Sequence, residues 1–346
     1  MAGQPGRRYG RRVFLKLVLG AGAALLGGQV ARQQGWLPAG MDANRDDGLA
    51  RYTEASPSVA RQLSATPPVV AIVRGDDPAA TVRAAVALAG GLGQVVRPGA
   101  TVLIKPNLTI PSASGQGNVT DSRVLQAAIE LCRQAGATRI LVGDGSGGGD
   151  SEQIMRQAGY ESVLKATGAT FVDFNADEVV TRRLVDPAAL AEYSLAKTAA
   201  EAPVLISLPV LKVHNEAIVS LSCKNLLGIA ARKVYGRPRQ QLHNAGVPRV
   251  IADLVRLRTP DFAIVDGTVG LEGDSPMHGA PVRMNLIVAG RNPVSVDAVG
   301  AAVMGFDPQQ LEQLTLLAKR GMGEIDPAKI SVQGSAIASV QRRFRR

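Results

Sequence analysis

The stretch Leu208–Gly228, LPVLKVHNEAIVSLSCKNLLG, places Lys212, His214, Asn215, Lys224 and Asn225 close together in otherwise apolar chain. Lysine offers a point charge to a carboxylate or phosphate, and histidine can exchange a proton near neutral pH. An apolar run, Val204–Leu208, leads in, and Pro209 ends it. The spacing then predicts a short loop carrying Lys212, His214 and Asn215, followed by a helix from Glu216. Val219, Cys223, Leu226, Leu227 and Ala230 would share the apolar face of that helix. Ser220, Lys224 and Gly228 would share another face, with Asn225 beside them. The plainer reading is a set of solvated lysines and one polar helix stripe, since most lysines are surface residues.

Three more candidate strands end in groups of the same kind. Lys105 and Asn107 follow Thr101–Ile104, Asp144 follows Arg139–Val142, and Asp266 follows Phe262–Val265. If these strands are parallel neighbours, their carboxyl ends share one sheet edge and the polar groups converge on one crevice. Between strand and helix, Gly143–Gly149 reads GDGSGGG. Such a loop could cradle a phosphate, but counted from Gly145 the last place of G-x-G-x-x-G falls to Asp150, and no Walker lysine follows. A turn is the simpler account. His214, His243 and His278, with Asp144, Asp266 and Glu272, could supply ligands to a divalent metal, although no pair has the spacing of H-E-x-x-H. Without a G-x-S-x-G elbow a serine hydrolase is disfavoured. The segment Asp266–Gly279 is long enough for a lid or an acidic surface loop. Asp297 opens a predicted helix, Ser295–Met304, where a cap and a place in the site are equally natural.

The elements that must position these groups alternate along the chain. Strands are expected at Val69–Val73, Thr101–Ile104, Arg139–Val142, Thr170–Phe174, Val204–Leu208, Phe262–Val265 and Met284–Val288. Helices are expected at Thr81–Leu92, Ser122–Gln134, Ser151–Ala158, Val247–Arg256, Ser295–Met304 and Pro308–Lys319. Short, continuously apolar strands between helices indicate an α/β fold, a largely parallel or mixed sheet with helices on both faces.

Composition narrows the function. The chain has 346 residues, 46% hydrophobic and 20% charged, which suits one large or two ordinary globular domains. Aromatics are 3%, so Val, Leu, Ile and Ala must build the core. The net charge is +10, but Arg7, Arg8, Arg11, Arg12 and Lys16 carry half of it, and Arg342, Arg343, Arg345 and Arg346 most of the rest. The body is nearly neutral and does not read as a nucleic-acid binder. The two cysteines, Cys132 and Cys223, are expected as buried free thiols, and a disulfide between them stays open. With no CxxC, an iron–sulfur cluster or zinc site built from this chain's own thiolates is excluded.

The amino end reads as an address. Arg11-Arg12-Val13-Phe14-Leu15-Lys16 precedes a short apolar run, Leu17–Leu26, and resembles a twin-arginine export signal with Gly10 in place of the usual Ser or Thr. It implies the twin-arginine translocase as partner and a periplasmic or extracytoplasmic location, with membrane association through the signal segment left open. Residues 1–31 are read as the signal, 32–68 as a linker or loosely packed arm, 69–335 as the α/β body in one or two lobes, and 336–346 as a frayed basic tail.

The pieces VLIKPNL, LVGDGSG, LPVLKVHNEAIVSLSCKNLLG, IVDGTVGLEGDSP and PVSVDAVGAAVMGFDP together resemble the domain of unknown function 362 family from about Val69 to Leu317. The resemblance points to Lys105, Asn107, Asp144, Lys212, His214, Lys224, Asn225, His243, Asp266, Glu272 and Asp297. Many relatives carry a ferredoxin-like cysteine cluster that this chain lacks. The leading expectation is an exported enzyme acting on a small anionic ligand. Lys212, His214 and Lys224 would be catalytic, with His214 as general acid or base. Lys105, Asn107, Asn225 and His243 would bind substrate, and Asp144, Asp266 and Glu272 would hold a divalent cation or orient the lysines. The rival is a non-catalytic binding or maturation protein serving a redox or cofactor-containing partner.

Overall fold

The computed structural model describes residues 67–346 and the backbone of a short strand, Thr53–Glu54. The segment expected to be an export signal and nearly all of the expected 32–68 arm lie outside the described residues. The main sheet has ten strands: β1 Val69–Arg74, β2 Thr101–Pro106, β3 Arg139–Asp144, β4 Thr170–Asp173, β5 Val204–Leu208, β6 Val210–His214, β7 Ile218–Ser220, β8 Phe262–Glu272, β9 Ala280–Gly290 and β10 Ser331–Gly334. Their order is β10-β1-β9-β8-β5-β2-β3-β4, with β6 paired to β8 and β7 to β6. The run β8-β5-β2-β3-β4 is parallel, whereas β9 runs against both its neighbours. The fold is therefore α/β with a mixed, mostly parallel sheet. A second, three-stranded sheet joins Thr53–Glu54, Val179–Arg183 and Glu192–Ala196.

Alternate residues of the central strands enter two separate cores. Leu103, Leu141 and Leu205 point into one, while Val102, Ile104, Ile140, Val142 and Ile206 point into the other. Both faces are thus apolar, as expected of strands whose sequences read as unbroken hydrophobic runs. Helices α1 Pro78–Leu88, α2 Ser122–Gln134, α3 Ser151–Gln157 and α4 Tyr160–Thr167 contribute to the second core. The first is covered by α5 Ser222–Asn225, α6 Val247–Leu257, α7 Pro293–Val303 and α8 Glu312–Lys319. Cys132 and Cys223 are buried free thiols. Among the described residues no helix is long and apolar enough to cross a membrane.

Four expectations need correction. The helix expected from Glu216 is a hairpin: β6 turns at 215–217 and returns as β7, with Ile218 opposite His214 and Ser220 opposite Lys212. Pro209 ends β5, but the alternation Val210, Leu211, Lys212, Val213, His214 is strand spacing, and β6 finds a partner in β8. Next, β8 does not stop at Asp266. It continues to Glu272 because β9 pairs with it along its length, and the supposed lid shrinks to the short loop 273–279. The expected helix Pro308–Lys319 is interrupted at Leu311, whose extended backbone separates a 3-10 turn from α8. Finally, the basic tail is docked and not frayed. Phe344 is buried, and the backbone N–H groups of Arg342 and Phe344 donate to the carbonyls of Val303 and Met304.

Candidate functional site

The carboxyl ends of β2 and β3 bring Lys105 and Asp144 into a buried ion pair, with Nζ 2.6 Å from Oδ1. Lys105 Nζ also donates to Asn225 Oδ1 at 3.0 Å and to the Pro106 carbonyl at 3.1 Å. An ammonium has three donors, so all of those of Lys105 are used. Asn225 is equally occupied: its Nδ2 donates to the Lys105 carbonyl and to Ser207 Oγ. Asp144 accepts further bonds from the backbone N–H groups of Gly145 and Leu108. This clasp ties the sheet edge to α5. It depends on Gly228, where an added Cβ would stand 2.9 Å from Lys105 Nζ and collide with Asp144 Oδ1. Asn107 also bonds inward, its Nδ2 donating to the Asn118 carbonyl and its Oδ1 accepting from Thr109.

Beside the clasp opens a cavity of about 310 Å³, within the small-molecule range. Lys105, Asn107, Asp144, His214, Lys224, Asn225 and His243 all line it. Lys224 is the exception among the lysines, since no protein acceptor lies within hydrogen-bond reach of its Nζ among the described residues. Burial, and the nearby charges of Lys105 and Arg239, lower its pKa to about 8, against the pull of Glu216. Lys212 is not in the cavity lining. It sits buried behind the wall, and its Nζ donates to the Asn118 carbonyl at 3.3 Å. Burial and the charge of Lys224 push its pKa to about 7.

His214 is placed as a hydrogen-bond donor more than as a proton shuttle. Its Nδ1 accepts from the backbone N–H groups of Glu216 and Ala217, at 3.2 and 3.3 Å. Burial and the surrounding cations drive its pKa down to about 2, so the ring is neutral with its remaining proton on Nε2. His243 Nδ1 is engaged by Glu216 at 2.6 Å on the cavity rim.

The three carboxylates expected to hold a metal do not converge. Asp144 belongs to the clasp. Asp266 accepts from the backbone of Asp121 and from both the backbone and hydroxyl of Thr268, and burial raises its pKa to about 6. Glu272 is bound by Arg345 of the tail. Among the described residues no three His, Cys, Asp or Glu side chains form a metal-sized group. Asp297 caps a helix, though not its own, which Asn292 caps. Its two oxygens accept from the backbone N–H groups of Ser222 and Cys223, both at 2.8 Å, and so fix the start of α5. The glycine loop does fit G-x-G-x-x-G when counted from Gly143, yet the amides of Gly145, Ser146, Gly148 and Gly149 are all used inside the protein.

Sequence reasoning missed Arg239 and Ser275 and gave Ser220 no role in the site, and all three also line the cavity. Arg239 is buried, donates to the carbonyls of Ala230 and Gly228, and has its pKa lowered by burial to about 10. Nothing in the local pattern Gly236-Arg237-Pro238-Arg239 marks the second arginine as the inward one. Ser220 was grouped with Lys224, but on a helix face; it is the hairpin register, with Ser220 opposite Lys212, that sets its place. The Ser275 hydroxyl is buried with no partner.

Fold and site together define an α/β protein with a cation-lined cavity at the carboxyl edge of its sheet. The chain belongs to the family described as Domain of unknown function (DUF362), whose model matches residues 102–302. A thylakoid-associated protein of Synechocystis sp. is 28% identical over 237 residues, covering 67% of this chain and 72% of that one. Among solved structures, the lactate racemase apoprotein from Thermoanaerobacterium thermosaccharolyticum matches 63% of this chain and 54% of its own, at 15% identity and a TM-score of 0.39. A protein from Thermotoga maritima matches 60% of this chain and 55% of its own, at 11% identity and a TM-score of 0.36. The chain thus spans about half the length of these two solved chains.

Proposed function

We propose that the cavity binds a small anion, a carboxylate or phosphate, and that Lys224 performs proton transfer on it. One observation carries this reading: the charge balance of the site. Lys105, Lys212, Lys224 and Arg239 are gathered there, while Asp144 is the buried carboxylate bonded to one of them, and Asp173 and Glu216 act on Arg239 and Lys224 only through their field. Glu216 stands at the rim and is already paired with His243. A buried cation without a counter-charge is costly, and an anion in the cavity would supply it. Lys224 would meet the ligand directly. Lys212 would add field from behind the wall, and the Nε2–H of His214 would donate to a ligand oxygen. A lysine titrating near the working pH can both give and take a proton, which makes Lys224 the better acid/base candidate than His214.

The test is ligand-induced thermal stabilisation at constant ionic strength, with inorganic phosphate and small mono- and dicarboxylates as probes. At least one anion should raise the melting temperature of the wild type through binding to the native state. Lys224→Gln should abolish that rise while leaving the protein folded. Wild-type shifts in Lys224→Gln would remove the site.

A further inference from the structure

We infer that Lys224 forms an imine with its ligand, and that the ligand is therefore a small anion carrying a ketone or aldehyde group. This deepens the anion-binding part of the proposed function and rests on it, with covalent attachment taking the place of proton transfer as the role of Lys224. The three lysines of the site differ in what their nitrogens can do. Lys105 has spent all its donors on Asp144, Asn225 and Pro106. Lys212 lies behind the wall, held to Asn118. Lys224 alone of the three both lines the cavity and lacks a protein acceptor among the described residues.

Its setting favours a nucleophilic amine. Lys224 is half-buried in the cavity wall, with Lys105 and Arg239 acting on it against the pull of Glu216, and a lysine beside other cations and partly withdrawn from water keeps a useful share of neutral amine. Its carrier, α5, is fixed at its start by Asp297 and at its end by the clasp through Asn225. The cavity also offers hydroxyl and N–H donors for a carbonyl oxygen. Ser220 and His214 line it, and so does Ser275, whose buried hydroxyl has no partner.

The chemistry balances without any oxidant or reductant. The Nζ lone pair forms a bond to the carbonyl carbon while the C=O π pair moves to oxygen. One proton passes from nitrogen to that oxygen, giving a carbinolamine. The C–O bond then breaks, the hydroxyl leaves as water with the remaining N–H proton, and the nitrogen pair closes the C=N bond. Addition of water reverses the sequence.

The experiment is reductive trapping on the full-length chain. Protein is incubated with pyruvate, and separately with glyoxylate, in the presence of cyanoborohydride. Intact mass and peptide mapping then count and place the adducts. The expected result is one dominant adduct on Lys224 that disappears in Lys224→Arg. Thermal stabilisation of the wild type is read in parallel with inorganic phosphate and with propionate, which has no carbonyl beyond its carboxylate. Lys224→Met gives the same adduct test should the guanidinium not be accommodated. No adduct in the wild type, or adducts spread over exposed lysines such as Lys165, Lys233 and Lys329, overturns the inference. If propionate still stabilises the wild type in that case, anion binding stands and imine formation alone falls. If inorganic phosphate, propionate and the oxo acids all fail to stabilise it, both fall together.

Discussion

At the scale of single residues, the site divides its lysines by what their neighbours leave them. Lys105 is structural: with Asp144 and Asn225 it closes a buried clasp, and removing one partner would strand the others' charge or hydrogen bonds. Lys212 is the costly one. Burial and Lys224 oppose its charge, Asp144 favours it, and Lys105 opposes it again, leaving its folded pKa near 7 against an ordinary 10.5. A lysine with a depressed folded pKa contributes fully above its unfolded value, and that contribution is lost as pH falls through the folded one. The penalty of burying Lys212 is therefore complete below about pH 7 and absent above about 10.5. Lys212→Met should accordingly raise the melting temperature more at pH 6 than at pH 10, by a few degrees, while weakening anion binding. Thermal unfolding at the two pH values checks this, and an equal shift at both would show that Lys212 is not buried against its charge.

Elements position these residues in ways their own sequences do not announce. Helix α5 is one turn long and starts after Leu221, a residue without a capping side chain. Its N-terminal amides are satisfied from α7 by Asp297, whose carboxyl is itself pushed up to about 7 by burial. Asp297→Ala would leave two buried N–H groups without acceptors, a loss of about 1–3 kcal/mol for each. The variant should unfold earlier in denaturant and lose its anion-induced thermal shift although Lys224 is intact. Asp297→Asn, with one acceptor oxygen in place of two, should fall between. An alanine variant that is less stable but binds anions as the wild type does would mean that α5 needs no such anchor.

Over the whole molecule, the carboxyl-terminal tail fastens the cavity mouth. Glu272, at the end of β8, is buried. Burial works against its charge, and hydrogen bonds from the backbone and guanidinium of Arg345 overcome that and hold its pKa below the ordinary value. The next residues, 273–279, supply Ser275, Pro276 and Met277 to the cavity. On the other side, Arg346 donates to the carbonyl of Asn215 in the hairpin turn. Phe344 is buried against Gly270. Deleting 341–346 removes a buried aromatic, by itself about 3–5 kcal/mol in a core, and leaves Glu272 without its main partner. Chemical denaturation should show a clearly lower midpoint for the truncated chain, together with weaker anion-induced stabilisation. An unchanged midpoint would return the tail to the solvated status its composition suggested.

The sequence alone determined the α/β class, since unbroken apolar strands separated by helical patterns admit little else. It also marked Lys105, Asp144, Lys212, His214 and Lys224, because polar groups at the ends of apolar runs stand out locally, and its assembled motifs pointed to the family. Tertiary structure decided the roles. Lys105 and Asn225 are 120 residues apart, and Asp297 reaches back 75 to Ser222. Whether a lysine is spent or available depends on which acceptors surround its nitrogen. That is a property of space, and residue spacing carries no record of it.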